Sequence, residues 1–262
     1  MTVESLNCDL SAMGVQPGMV LLVHASLSAL GWVSGGAVAV ILALEQALGL
    51  AGTLVMPAHS TNLTDPEAWR HPPVPASWWQ VIRDTVPGYD PALTPTRGIG
   101  VIPETFRKQT GVLRSGHPTV SFAAWGAQAD LITSGHGLAF GMGEGSPLAR
   151  IYDLDGWVLL MGVGHSSNSS LHLAEYRASY PGKQLVLEGT AVMRDGRRQW
   201  VTYPDISTDS DDFGQVGEAF DMAGQGVRIG RVGYGSARLM SQRALVDFAV
   251  SWMESNRGVV RR

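Results

Sequence analysis

The strongest constraint on the fold lies in the first sixty residues, where two apolar runs flank an apolar helix pattern. MVLLVHAS (19–26) and GTLVMPAHS (52–60) have the pattern of short buried strands. GGAVAVILALEQALG (35–49) is apolar around nearly its whole circumference and has a glycine at each end. A strand, a helix and a strand at this spacing predict a βαβ unit with two parallel strands. We therefore expect an α/β fold.

Three later segments extend this pattern. WVLLMGVG (157–164) predicts a third buried strand, and SSLHLAEYRA (169–178) predicts the helix that follows it. QLVLEGTAVMRDGRRQWVTYP (184–204) alternates on both sides of Asp195-Gly196, which is typical of an antiparallel hairpin. No charged or flexible linker divides the chain. We expect one domain over residues 1–262, with a parallel-core sheet flanked by helices and an inserted antiparallel hairpin.

Residues 61–98 interrupt this regularity. The segment is rich in proline and contains three tryptophans and several scattered carboxylates. A connection of this length in a compact enzyme is more often a lid or a binding loop than a linker. We therefore expect little regular structure there and interpret the segment as a substrate loop.

Composition and charge exclude several classes of protein. The net charge is −4 and the basic residues are dispersed, which argues against a nucleic-acid partner. The single cysteine, Cys8, excludes an intrachain disulfide and a cysteine-based zinc site, and it favours the cytosol. No apolar run approaches ~20 residues, so no membrane-spanning helix is expected. Residues 1–9 lack the apolar core of a signal peptide. We expect a cytoplasmic protein with no membrane partner.

The predicted parallel strands end in titratable residues. His24 ends the first strand, His59 follows the second, and His165 follows the third after the glycine-rich turn 162–164. Since ligands collect beyond the carboxyl ends of parallel strands, these groups are expected to meet at one site. Backbone amides near the glycines could bind an acyl oxygen, although the same glycines also suit a simple tight turn. A lone histidine such as His24 is also common in a core.

His172 and Glu175 are three residues apart on a predicted helix, so they share one face. A carboxylate beside an imidazole fixes its tautomer and stabilises the imidazolium, as a general base requires. An exposed helical ion pair has the same spacing. Spacing alone leaves both interpretations open.

The chain lacks the sequence motifs of several other classes of enzyme. There is no phosphate-binding Gly-Lys-Ser/Thr loop, no Gly-x-Ser-x-Gly elbow and no HExxH pair, which argues against a nucleoside triphosphatase, a serine hydrolase of that type and a zinc enzyme. No metal site is expected. The acidic run at 205–212 lacks the spacing of a calcium loop. It indicates either a solvated helix start or a clamp for a polycation.

Five long segments follow one another in a fixed order along the chain: LLVHASLSALGWVSGGAVAVILALEQALGLAGTLVMPAHS (21–60), HPTVSFAAWG (117–126), LLMGVGHSSNSSLHLAEYRA (159–178), DSDDFGQVGEAF (209–220) and GRVGYGSARLMSQRALVDFAV (230–250). Together they resemble the aminoglycoside 3-N-acetyltransferase family. The resemblance implies the antibiotic N-acetyltransferase fold, which differs from that of the GNAT acetyltransferases. It also implies transfer of an acetyl group from acetyl-CoA to the 3-amino group of the deoxystreptamine ring of an aminoglycoside antibiotic, and so a role in antibiotic resistance.

The same resemblance implies roles for individual residues. His172 is expected to be the general base, Glu175 its partner, and His24 a neighbour of the acetyl group or the amine. Coenzyme A is expected at Ser26, Leu27, Ser28, Gly31, Val33, Gly35, Gly36, Gly162, Val163, Gly164 and His165, assisted by Arg114 and Ser115. The aminoglycoside is expected to meet carboxylates among Asp65, Glu67, Asp84, Asp209, Asp211 and Asp212. The alternatives are acetyl transfer to another amine, or a non-catalytic protein that binds coenzyme A or another ligand.

Overall fold

The computed structural model of the protein describes residues 1–70, 72–224 and 226–258. Its strands are β1 (Val20–Ala25), β2 (Thr53–Pro57), β3 (Leu113–Arg114), β4 (Phe122–Gly126), β5 (Trp157–Met161), β6 (Leu185–Arg194), β7 (Arg197–Ile206), β8 (Val227–Val232) and β9 (Gly235–Ser241). Its α-helices are α1 (Val3–Met13), α2 (Gly36–Leu48), α3 (Ala76–Thr85), α4 (Val101–Phe106), α5 (Ala129–Thr133), α6 (Pro147–Asp153), α7 (Ser170–Arg177), α8 (Phe213–Ala223) and α9 (Gln242–Asn256).

The central sheet has the strand order β3-β4-β2-β1-β5-β9-β8. β1 pairs in parallel with β2 on one side and with β5 on the other, as the βαβ pattern predicts. β4 and β9 add to this core in antiparallel orientation, so the sheet is parallel in its centre and antiparallel towards both edges. The prediction of a parallel-core sheet is confirmed.

Helices cover both faces of the sheet. Leu21 and Val23 of β1 pack in one apolar cluster with α1, α2 and α4, whereas Leu22 packs on the opposite face with α5 to α9. A strand buried on both faces needs apolar residues at consecutive positions rather than at alternate ones. This explains why β1, β2 and β5 are continuous apolar runs in the sequence.

The predicted hairpin is present and forms a sheet of its own, β6-β7. Its turn has positive φ at Asp195 (50°) and Gly196 (72°), the backbone that a two-residue hairpin turn requires. The hairpin clasps the 61–98 segment: the Thr190 hydroxyl donates to the Leu63 carbonyl at 2.9 Å, and the Tyr89 amide donates to the Ala191 carbonyl at 3.0 Å.

Several elements differ from expectation. The 61–98 segment contains α3, because Pro75 and Pro87 flank this helix instead of interrupting it. The N-terminal residues, which had no predicted element, form α1, and Cys8 lies exposed on it. α8 and the β8-β9 hairpin were also not predicted, because glycines and arginines interrupt their apolar patterns. None of the helices in the described ranges has the length and apolar character needed to cross a membrane.

Candidate active site

A cleft of about 840 Å³ opens beyond the carboxyl ends of β1 and β2, beside the turn that follows β5. His24 and His59 both line it, so the predicted meeting of strand ends occurs for these two histidines. Ser166, Ser167 and Ser169, between β5 and α7, close one side. The α/β topology therefore places the cleft where ligands of such sheets collect.

Seven of the residues expected to contact coenzyme A line this cleft: Ser26, Leu27, Ser28, Gly31, Val33, Gly36 and Val163. Gly35 and Gly164 are chain neighbours of lining residues. Gly36 is the first residue of α2, so the amino terminus of a thirteen-residue helix faces the cleft. Helix amino termini favour anionic groups because their amides are unpaired and the helix dipole is positive there.

Part of the lining was not anticipated. Trp32, Gly98, Ile99, Gly100, Val101 and Pro103 also line the cleft, as do the three serines before α7. The signal for Trp32 was its place inside the resembling segment 21–60. None of the described lining residues carries a carboxylate. The cleft therefore suits an anionic ligand better than a polycation.

His172 and Glu175 form a partly buried pair on α7. His172 Nδ1 lies 3.0 Å from Glu175 Oε2, and the carboxylate side chain is fully buried. Burial by itself would raise the pKa of Glu175, but hydrogen bonds from His172, the Asp209 amide and Arg257 outweigh it and lower that pKa. An ionised carboxylate accepts the Nδ1 proton of His172, which leaves Nε2 as the proton acceptor of the ring. The exposed ion pair is excluded, because Glu175 has no contact with solvent.

His24 is buried, and its Nε2 accepts a hydrogen bond from the Ser169 amide at 3.4 Å. Burial, followed by the nearby His172, lowers the pKa of His24 to about 4. His24 is therefore neutral near pH 7 and is already committed as an acceptor. It joins the end of β1 to the start of α7, one turn before His172.

His59 lines the same cleft, as its place after the second strand predicted, but no role had been assigned to it. Its ring meets Phe122 edge-on at 5.2 Å between centroids, and its Nε2 has no hydrogen-bond partner among the described residues. Burial, with the neighbouring histidines His172 and His24 as the next causes, lowers the pKa of His59 to about 3. The sequence signal was its place after β2, equivalent to that of His24 on β1.

The structure does not place His165 among the residues that line the cleft, and its expected contact with coenzyme A stays a prediction. Its Nε2 lies 3.1 Å from Asp221 Oδ1 on α8, and its ring packs directly on Gly217. Gly162, with φ of 67°, packs against Ala29, where a Cβ would approach the alanine methyl to 2.5 Å. Both residues shape the turn, and Val163 is the member of the turn that reaches the cleft.

Arg114 and Ser115 do not line the cleft either. The Arg114 guanidinium donates to the Ala58 carbonyl at 2.6 Å and to the Ser60 hydroxyl at 2.7 Å. The Ser115 hydroxyl is buried and lies 2.8 Å from His136 Nδ1. The structure does not bring either side chain to the cleft, and both hydrogen-bond within the segments behind β2 and β4. Their expected assistance to coenzyme A stays a prediction.

Three of the six predicted acceptor carboxylates are paired with arginines inside the protein. Asp65 and Glu67 bind Arg83, at 2.7 and 3.1 Å, and Asp212 binds Arg257 at 2.6 Å. The other three have no arginine or lysine partner among the described residues. Asp84 accepts from Gln80 at 2.9 Å, and Asp209 Oδ1 accepts from the Asp211 amide at 2.9 Å. Much of the expected acidic clamp is neutralised internally.

The described ranges hold no group of three histidine, cysteine, aspartate or glutamate side chains placed to bind one ion. The histidines that converge on the cleft approach one another without a carboxylate ligand between them.

Comparison with known proteins identifies relatives over nearly the whole chain. The family model described as aminoglycoside 3-N-acetyltransferase matches residues 22–254. The chain is 44% identical to the SPbeta prophage-derived aminoglycoside N(3')-acetyltransferase-like protein YokD of Bacillus subtilis, over 97% of this chain and 93% of that protein. It is 36% identical to aminoglycoside N(3)-acetyltransferase VII of Streptomyces paromomycinus, over 95% of this chain and 90% of that one.

Solved structures agree with the sequence relatives. The crystal structure of YokD from Bacillus subtilis superposes with a TM-score of 0.94 at 44% identity, covering 97% of this chain and 94% of that one. The structure of AAC-IIIb with CoASH superposes with a TM-score of 0.86 at 32% identity, covering 97% of each chain. AAC-VIa bound to sisomicin gives 0.88 at 28% identity, covering 97% and 98%. The expected fold is confirmed by these neighbours.

Proposed function

The chain belongs to the aminoglycoside 3-N-acetyltransferase family, and on that premise we propose that it transfers the acetyl group of acetyl-CoA directly to the 3-amino group of the deoxystreptamine ring of an aminoglycoside. The observation that carries the proposal is the 3.0 Å contact between His172 Nδ1 and buried Glu175. His172 lies one turn after Ser169, which lines the cleft, and close enough to His24 and His59 to lower their pKa.

His172 acts as the general base in this mechanism. The acceptor ammonium first loses one proton to solvent, and the neutral amine then attacks the thioester carbonyl carbon. As the C–N bond forms, the second proton passes to His172 Nε2 while Glu175 stabilises the imidazolium. The tetrahedral intermediate collapses with cleavage of the C–S bond. The thiolate of coenzyme A takes the proton from the imidazolium, which restores the base without any acetyl-enzyme.

The cleft supplies the groups that coenzyme A requires. The amino terminus of α2 suits the pyrophosphate, and Ser26 and Ser28, with hydroxyls 3.1 Å apart, can bind polar atoms of the pantetheine arm. Trp32 is 79% exposed at the cleft and offers a face for stacking. The backbone amides beside Val163, flanked by two glycines, can approach the acyl oxygen closely. Support for this cofactor also comes from the relative solved with CoASH.

The acceptor carboxylates differ in what binding an ammonium group would cost. Asp84, Asp209 and Asp211 can bind one while keeping every internal ion pair of the protein. Asp65, Glu67 and Asp212 would have to exchange an arginine for the ammonium group. This internal neutralisation favours a second candidate, acetyl transfer to an amine that carries fewer charges than an aminoglycoside.

An acceptor panel tests both candidates. Purified protein with acetyl-CoA is offered gentamicin, sisomicin, tobramycin and a set of mono- and diamines, and thiol release is measured against a His172→Ala control. We expect release with an aminoglycoside and a 3-N-acetylated product by NMR. Thiol release with the mono- and diamines but with none of the aminoglycosides would show that the acceptor is a simpler amine. Calorimetric binding of acetyl-CoA with no turnover on any amine would favour the non-catalytic alternative.

A further inference from the structure

The buried carboxylate of Glu175 has three donors besides His172. Oε2 faces His172, whereas Oε1 accepts from the Asp209 amide at 2.6 Å, from Arg257 Nη1 at 2.8 Å and from the Tyr180 hydroxyl at 3.5 Å. One oxygen is thus held by the protein and the other is left for the imidazole. This division fixes the direction from which the carboxylate meets His172.

Arg257 is the cation in this arrangement, and all five of its N–H groups are bonded. Nη1 donates to Glu175 and to the Tyr180 hydroxyl at 3.0 Å, Nη2 donates to Asp212 and to the Asp209 carbonyl at 2.7 Å, and Nε donates to Asp212 at 2.8 Å. Its side chain is 9% exposed. A planar fork with five donors can bridge these groups, which the point charge of a lysine cannot do.

Arg257 follows α9 directly and lies beyond residues 22–254, the segment that the family model matches. We propose that Arg257 is a positioning residue of the reaction, which holds Glu175 ionised and oriented towards His172 and ties the start of α8 to the same carboxylate. The inference rests on the proposed role of His172 as the base. The residue acts through Glu175 and is not among the residues that line the cleft.

Charge gives this contact a chemical effect as well as a structural one. A buried carboxylate without a cation is driven towards its neutral form by desolvation, and a neutral carboxyl cannot stabilise an imidazolium. Arg257 keeps the carboxylate ionised. Removal of Arg257 therefore loosens the carboxylate and favours its neutral form, which weakens its hold on the imidazolium.

Other charged and titratable groups near His172 and Glu175 could also affect the pH dependence. Asp212, Lys183, Tyr180 and Tyr176 surround the Glu175 side, and His24 and His59 lie on the His172 side. Burial lowers the pKa of both histidines to about 4 and about 3, and burial raises that of both tyrosines. The two histidines and the two tyrosines therefore hold a constant charge between pH 5.5 and 9, where the test is made.

The test compares Arg257→Gln, Arg257→Lys and Arg243→Gln with the unaltered protein. Arg243 lies on α9 and pairs with Asp155 at 2.6 Å, so its variant removes an arginine ion pair of the same helix without contact to Glu175. Rates with acetyl-CoA and sisomicin are measured from pH 5.5 to 9. NMR of 15N-histidine-labelled protein follows the His172 ring, assigned with His172→Ala, and needs no acceptor.

We expect Arg257→Gln to lower kcat roughly tenfold, less than loss of the base itself, with the KM for acetyl-CoA nearly unchanged. The acid limb of the rate profile should move to higher pH, because Glu175 without its cation takes up a proton more readily. The 15N signals of the His172 ring should lose the signature of an Nδ1–H that is held by a carboxylate. Millimolar guanidinium ion should restore part of kcat. Arg257→Lys should keep the acid limb and lower kcat severalfold. Arg243→Gln should match the unaltered protein.

A wild-type kcat and pH profile in Arg257→Gln, with His172→Ala inactive, would overturn this inference and leave the proposed function standing. Activity in His172→Ala would overturn the proposed function instead. If the thermal melt shows that Arg257→Gln does not fold, the test rests on Arg257→Lys. A lowered kcat with an unchanged KM in Arg257→Lys supports the positioning role, and a wild-type kcat contradicts it.

Discussion

His24 Nε2 accepts the backbone amide of Ser169 at 3.4 Å, which joins the carboxyl end of β1 to the first turn of α7. An acceptor Nε2 places the ring proton on Nδ1. Burial, aided by His172, lowers the pKa of His24 to about 4, so the ring is neutral near pH 7. His24 therefore holds α7 in place. His172 Nε2 has no hydrogen-bond partner among the described residues, which leaves it available for the proposed proton transfer.

Replacement of His24 should separate these roles. His24→Gln places a carbonyl oxygen near the position of Nε2, so it can accept the Ser169 amide and should retain most of the activity. His24→Ala leaves that buried amide unpaired, which costs about 1–3 kcal/mol of unfolding free energy, and should lower kcat further. Urea unfolding and steady-state kinetics measure both effects. Equal activity in the two variants would show that the bond does not position α7.

Loss of the base should be more severe. We expect His172→Ala to lower kcat roughly a hundredfold or more, the usual contribution of a general base, with little change in acetyl-CoA affinity, because the ring is not part of the cleft lining. Calorimetry with acetyl-CoA and initial rates with the active acceptor provide the measurement. Full activity in His172→Ala together with an inactive His24→Ala would show that His24, not His172, is the base.

Acid should destabilise the fold through its buried histidines. Burial is the largest cause that lowers the pKa of His24 and His136 to about 4, and of His59 and His117 to about 3. Unfolded histidines take up protons near pH 6.5, so the unfolded state binds more protons between pH 6.5 and about 4. The free energy of unfolding should therefore fall as pH falls through this range, by up to about 1.4 kcal/mol per pH unit for each group.

The matched variant for this effect is His117→Asn. His117 Nδ1 accepts the Thr119 and Val120 amides, both at 3.2 Å, and the asparagine carbonyl can take its place without titrating. Urea midpoints at pH 7, 6 and 5 should decline less steeply in this variant than in the unaltered protein. The carboxylates with lowered pKa, such as Glu104 and Glu175, lose their contribution below about pH 4.5, outside this window. Parallel slopes would contradict the assignment to His117.

Two glycines of the turn after β5 should respond differently to alanine. Gly162 has φ of 67°, and a Cβ there would lie 2.5 Å from the Ala29 methyl, whereas Gly164 has φ of −96° and open space around its Cα. Gly162→Ala should cost roughly 1–3 kcal/mol of unfolding free energy and raise the KM for acetyl-CoA, because the displaced turn carries Val163 into the cleft. Gly164→Ala should keep the stability. Similar melting temperatures for both variants would refute this explanation of the turn.

The central fold was predictable because its signals are local. The β1-α2-β2 unit, β5, α7 and the β6-β7 hairpin each have a complete apolar period or turn motif within their own residues. α8 and the β8-β9 hairpin lack such a local pattern, because their glycines and arginines contact residues that are distant in sequence. Gly217, for example, is small because the His165 ring packs directly on it.

The site residues also fall into those that local sequence could predict and those that it could not. The spacing of His172 and Glu175 was visible on one helix, and the resemblance located most of the cleft. The orientation of His165 depends on Asp221, 56 residues away, and the neutralisation of Asp65 depends on Arg83, 18 residues away. Arg257 has no local pattern at all, since its partners come from α7 and the start of α8. Charge partners of this kind become visible when the chain has folded.

The clasp between the β6-β7 hairpin and the 61–98 segment decides what can be exchanged between relatives. Thr190 and Ala191 hold the segment at Leu63 and Tyr89, and Arg198 donates to the Val86 carbonyl at 2.6 Å. A chimera that swapped the segment alone would place a foreign loop on a hairpin shaped for another one. We therefore expect the segment and the hairpin to be exchangeable only together, although more than eighty residues separate them in sequence.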